Sequence, residues 1–152
     1  MSHDSRIAEL QLQLPLIPKP SAIYRSVVIS QGMLYVSGHG PIQTDGSLIR
    51  GRVGTDLTLE EGALAARQVG LCILSTVRNA LGSLDRIRRV VKILGMVNSA
   101  PDFYDHPKVI NGCSQLFADV FGEEAGIGAR SAVGMGPLPG NIAVEIEAIF
   151  EL

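Results

Sequence analysis

Apolar residues recur along the 152-residue chain with two distinct periods. Near its end, Val144, Ile146, Ala148 and Phe150 alternate with Ala143, Glu145, Glu147 and Ile149. That period of two gives a strand two different faces. Ala129–Val133 is a second β-rich run, and Pro137-Leu138-Pro139-Gly140 lies between them. Proline cannot donate to a ladder, so this stretch belongs in a connection. The pattern predicts a hairpin turning near Leu138, with Arg130 across from Glu145 or Glu147. Arg25–Ser30 and Met33–Gly38 form another β-rich pair, split by Gln31-Gly32, a two-residue hairpin signal. That loop sets Ile29 opposite Leu34, Val27 opposite Val36 and Tyr24 opposite His39. Asp45-Gly46 marks a further turn.

Helical periods fill the middle. Thr58-Leu59-Glu60-Glu61 has capping-box spacing. Ala63, Ala66, Gly70, Ile73 and Val77 then make a 3.6-residue stripe that Gly82 ends. The small residues in that stripe suggest close packing on a sheet. Arg88–Asn98 reads as a strand. A second helix runs from about Pro107 to Phe121, with Pro107 suited to its first turn and Gly122 to its stop. Val109, Cys113, Leu116, Phe117 and Val120 form its apolar face. Residues 1–20 read as an extended N-terminal segment, because its end is rich in proline. Residues 21–152 read as one domain. The order hairpin, helix, strand, helix, hairpin predicts an α+β fold, a mixed sheet with two helices packed on one face.

Composition narrows the function classes. A chain of 152 residues supports a real core, with roughly 70% of the unfolded surface buried. The net charge of −2 and pI of 5.9 leave no electrostatic footprint for nucleic acid or an anionic membrane. No apolar run reaches membrane-spanning length. Met1–Arg6 is polar and has no signal-peptide core, so a cytoplasmic location is the expectation. Cys72 and Cys113 both fall in helical patterns, which favours free buried thiols over a disulfide or a metal site. His3, His39 and His106 have no metal-ligand spacing. His3 is expected to lack order and His106 to face solvent or lie near a helix cap. Arg86, Arg88 and Arg89 make a basic cluster without aromatic neighbours, read as a solvated edge or subunit contact.

The candidate chemistry centres on Arg130. A guanidinium near a glutamate on a partly apolar sheet has two readings. One is a structural cross-strand ion pair. The other is a substrate-carboxylate anchor with a glutamate positioning water. Glu145 and Glu147 share a strand face, so spacing does not choose between them. His39 has two readings as well: a proton donor to a leaving nitrogen, or a histidine hydrogen-bonded at a strand end.

Leu34-Tyr35-Val36-Ser37-Gly38, Arg89-Val90-Val91-Lys92, Pro101-Asp102-Phe103, Ala129-Arg130-Ser131 and Val144-Glu145-Ile146-Glu147-Ala148-Ile149 occur in that order. Together, over roughly residues 20–152, they resemble the Rid/YjgF family of imine/enamine deaminases, also called L-PSP endoribonuclease-like proteins. The resemblance implies a chorismate-mutase-like fold and a homotrimer with ligand clefts between subunits. It implies hydrolytic deamination of small 2-imino or 2-enamino acids to 2-keto acids and ammonia, with no cofactor and no metal. Arg130 would hold the substrate carboxylate, supported by the backbone N–H of Ala132. Glu145 would position water. Gly38 would offer backbone polar groups, and Tyr24, His39 and Asn111 would line the cleft. Ala132 stands where cysteine is common in the family, Gly128 where proline is usual and His39 where glutamine is frequent. The stretch from Phe103 to Asn111 is about four residues longer than the common form. A non-catalytic carboxylate-binding or regulatory trimer is the alternative reading. Endoribonuclease activity is the third, against which the acidic pI and the missing basic groove count.

Overall fold

Gln31 and Gly32 take φ of 50° and 75°, the backbone a two-residue hairpin loop needs, in the computed structural model of the chain, which describes residues 2–152. They join β1 (Val27–Ser30) to β2 (Met33–His39). The register has Ile29 beside Leu34 and Val27 beside Val36, as the loop length requires. The ladder ends there. Tyr24 lies in a bend, and His39 pairs instead with Ile146 beyond a bulge.

The capping box at Thr58 is complete. Its hydroxyl accepts from Glu61 N–H at 3.1 Å, and the Glu61 carboxylate accepts from Thr58 N–H at 2.7 Å. From it runs α2 (Leu59–Leu81), closed by Gly82 at φ 81°. β3 (Arg89–Asn98) follows, then α3 (His106–Phe121), β4 (Ala129–Met135) and β5 (Val144–Glu151). Two short helices escaped the sequence reading. One, α1 (His3–Glu9), falls in the segment expected to be extended and to leave His3 without order. Ser2 caps it, Ile7 is buried, and Arg6 Nε donates to the Asp119 carbonyl at 2.9 Å. The extended conformation is confined to the stretch that follows it, up to the prolines. The other, α4 (Glu123–Gly126), links α3 to β4.

The five strands form one mixed sheet in the order β1-β2-β5-β3-β4. The expected hairpin of the last two strands is therefore corrected: β3 lies between them. It pairs parallel with β4 and antiparallel with β5. The connection is too long and too engaged to be a tight turn. Asn141 C=O accepts from Gly51 N–H at 2.9 Å, and Ala143 N–H donates to Ile49 C=O at 3.1 Å.

The two long helices pack on one face. Val36, Ile93, Val97, Ile146, Ala148 and Phe150 point into the core they share with α2 and α3. The small residues of α2 serve a different contact from the one expected: they let α3 approach α2. A Cβ on Gly112 would lie 2.0 Å from the Ala63 carbonyl oxygen, and one on Gly70 would lie 2.8 Å from Leu116. On the sheet side, α3 sets Ile110 against Gly95. The opposite sheet face carries Tyr35, Lys92, Leu94, Glu147 and Ile149, and no element among the described residues covers it completely.

Candidate functional site

Arg130 sits on β4 beside Ile93, a core-facing residue of β3. Its side chain therefore projects to the helix side of the sheet. Nη1 donates to Ser114 Oγ at 3.0 Å, and Nη2 donates to the Pro107 carbonyl at 3.3 Å, both on α3. Both partners are neutral, and among the described residues no carboxylate pairs with this guanidinium. Arg130, Asn111, Ser114, Gln115 and Ile127 line a groove of about 410 Å³. Ala132 follows on the same face, beside Gly95, partly buried against the core. Cys113 lies beneath; burial drives its thiol far above its ordinary pKa, against a smaller opposing pull from Arg130. A thiol so held is not a nucleophile. Burial likewise lifts Cys72 to about 11.

Glu145 belongs to the other face. It pairs with Met96, whereas its neighbour Ile146 pairs with Gly95 on the helix side. Its carboxylate lies over Gly38: a Cβ there would be 2.6 Å from Glu145 Oε1. Only glycine keeps that backbone open to the carboxylate. Partial burial first, and the nearby Glu147 charge second, raise the Glu145 pKa. Glu147 is exposed. Parity left the two glutamates equivalent; burial separates them.

Tyr24, Gly38 and His39 share a cleft of about 170 Å³ with Ile17, Pro18 and Lys19 of the proline-rich segment. The His39 ring turns inward. Nδ1 donates to the Ser37 carbonyl at 2.6 Å, and Nε2 lies 2.8 Å from Thr76 Oγ1 of α2. Burial lowers its pKa, opposed by the Ser37 carbonyl. This is the geometry of the hydrogen-bonded strand-end histidine, with a neutral ring.

The predicted residues thus fall into two groups. Arg130, Asn111 and Ala132 lie on the helix side of the sheet edge. Tyr24, Gly38 and Glu145 lie around the end of β2. Within one chain the cross-strand Arg130–Glu145 pair does not form, because β3 separates their strands and parity separates their faces. Sequence reasoning missed Ser114, which steers Arg130; its signal was its place one turn after Asn111 on α3. It also missed the partner of His106, whose Nε2 lies 3.0 Å from Ser99 Oγ. Among the described residues, no helix is long and apolar enough to cross a membrane.

The chain is similar to known proteins in both sequence and fold. A family model described as "YjgF/chorismate_mutase-like, putative endoribonuclease" matches residues 4–146. Protein TCP17 of Trypanosoma cruzi is 43% identical over 148 residues, covering 97% of this chain and 92% of that protein. The crystal structure of Atu1372 from Agrobacterium tumefaciens, a protein of unknown function, superposes with a TM-score of 0.89 at 42% identity, covering 99% and 91% of the two chains. A "putative endoribonuclease" from Shewanella oneidensis superposes with a TM-score of 0.94 at 29% identity, covering 100% of both.

Proposed function

The chain belongs to the YjgF/chorismate-mutase-like family, and from that premise we propose that it hydrolyses small 2-imino and 2-enamino acids to 2-keto acids and ammonia. One observation carries the reading: a half-buried guanidinium, Arg130, faces an open groove with only neutral partners. Such a group suits a carboxylate held through two parallel charge-assisted bonds. Asn111 lines the groove, and the backbone N–H of Ala132, two residues along β4, is the further donor that the family resemblance implies.

The reaction needs little more. Water adds to the imine carbon, and the electron pair of the C=N bond goes to nitrogen, which takes a proton. The resulting carbinolamine loses ammonia as its hydroxyl becomes the keto group. Glu145 orients the attacking water and accepts its proton. Its raised pKa supports that role, because a base works best with a pKa nearer the working pH. Such a base typically contributes ~10²–10⁴-fold. Gly38, beneath the Glu145 carboxylate, and Tyr24 line the neighbouring cleft. The neutral His39 ring, bonded to Thr76 and Ser37, contributes shape rather than a proton.

Arg130 and Glu145 face opposite sides of the sheet, so one chain does not complete this site. A second subunit in a C3 homotrimer, setting its β2 end against the first subunit's β4 edge, brings the groups together. The test is direct. Purified protein is added to an enzyme that releases 2-aminoacrylate, and keto-acid formation is followed. A rate well above the uncatalysed one is expected. Background rates with intact keto-acid binding would support the carboxylate-binding trimer instead. The family description names an endoribonuclease, but the chain's net charge of −2 favours a small carboxylate over a polyanion.

A further inference from the structure

Beyond Arg130 and Ala132, the helix-facing side of β4 continues to Gly134. There it meets a second polar cluster. A Cβ on Gly134 would lie 2.5 Å from His106 Nε2 and 2.8 Å from Ser99 Oγ, so the strand reaches this pair only as glycine. Ser99 Oγ and His106 Nε2 are 3.0 Å apart. Phe103 packs edge-on against the imidazole with ring centroids 5.5 Å apart, which fixes its orientation. The pair opens on a groove of about 410 Å³ that Arg52 and Tyr104 also line. Arg52 is partly buried; Asp56 Oδ2 accepts from its backbone N–H at 2.9 Å, and among the described residues no carboxylate pairs with its guanidinium. Both grooves border the first turns of α3, where Arg130 Nη2 reaches the carbonyl of Pro107, the residue after His106.

We propose that Arg52, Ser99 and His106 form a second subsite beside Arg130 that receives the distal carboxylate of a dicarboxylic 2-imino acid. This rests on the reading of Arg130 as the anchor of the first carboxylate. With His106 Nε2–H donating to Ser99 Oγ, the serine proton is free to donate to the ligand. Arg52 supplies the compensating charge and a donor fork. The two carboxylate carbons of a five-carbon diacid lie about 5 Å apart across four C–C bonds, a reach that suits two anchors joined through consecutive residues of α3. The preferred substrates are imines of acidic amino acids rather than those with short apolar side chains.

Calorimetry with two keto acids, 2-oxoglutarate and 2-oxobutyrate, tests this on the full chain without requiring turnover. Wild type is expected to bind 2-oxoglutarate about ten- to a hundredfold more tightly, the worth of one charge-assisted contact. Arg52→Gln and Ser99→Ala, both at the groove surface, should bring that ratio close to one. Arg130→Lys should weaken both ligands together. If 2-oxobutyrate binds through Arg130 but 2-oxoglutarate binds no better, the second subsite is overturned and the first stands. A preference that survives in both Arg52→Gln and Ser99→Ala overturns it equally. If wild type binds neither ligand, the Arg130 anchor fails and the subsite fails with it.

Discussion

Arg130 is held by two hydrogen bonds that it donates to α3 and, among the described residues, by no ion pair, and this makes its role testable apart from stability. Arg130→Lys keeps the charge and loses the fork. Binding of pyruvate, followed by calorimetry, should weaken about tenfold or more, with little change in melting temperature. A destabilised protein with unchanged affinity would remove Arg130 from the site. His39 gives a pH prediction. Its folded pKa lies below its ordinary value because the ring is buried. The unfolded chain therefore takes up a proton below pH ~6.5 that the folded chain refuses. Stability from this group is full above that pH and declines as pH falls toward the lowered folded value. In denaturant titrations across this range, His39→Gln should flatten the decline, and a slope equal to wild type would contradict the assignment. These residues were legible as candidates because guanidinium and imidazole are rare on apolar strands. Their partners were not, since Ser114 and Thr76 lie on helices whose contacts the strand pattern does not encode.

The elements themselves were mostly legible: the capping box, Gly82 and the Gln31-Gly32 loop fix their boundaries by local chemistry. The pairing of β4 with β5 was not. Alternation states that each run is a strand, but not that β3 enters between them. The small helix α1 also escaped, because seven residues form no stable helix alone and this one depends on Ile7 and Arg6 docking elsewhere. The crossing of α2 and α3 carries the sharpest prediction. Gly112→Ala drives a methyl into the Ala63 carbonyl, backbone that cannot rotate away. Overpacking of this kind costs about 1–3 kcal/mol, or several degrees in melting temperature at about 2–4 °C per kcal/mol. A thermal melt within one degree of wild type would mean the helices separate more easily than this packing allows.

For the whole molecule, the uncovered sheet face motivates the proposed trimer. Tyr35 is 45% exposed, Val133 37% and Met135 39%, with Leu94 and Ile149 partly buried beside Tyr35. The exposed apolar residues of this face, interspersed with Lys92 and Glu147, suit contact with another copy, and a closed ring of identical chains would supply it. Light scattering at micromolar concentration should return about three times the 16.2 kDa chain mass, and a monomer mass would contradict the trimer. Arg130 and Glu145 lie on opposite faces in one chain, so the proposed reaction requires them to act together across subunits. Subunit mixing tests it most directly. Arg130→Ala and Glu145→Gln proteins should each be nearly inactive in keto-acid release from freshly generated 2-aminoacrylate. Unfolded together in equal amounts and refolded, they should recover about one quarter of the wild-type rate, because random assembly unites an intact Arg130 with a neighbour's intact Glu145 at one interface in four. A mixture that contains mixed trimers yet stays at the rate of the separate variants would show that the two residues do not act across subunits.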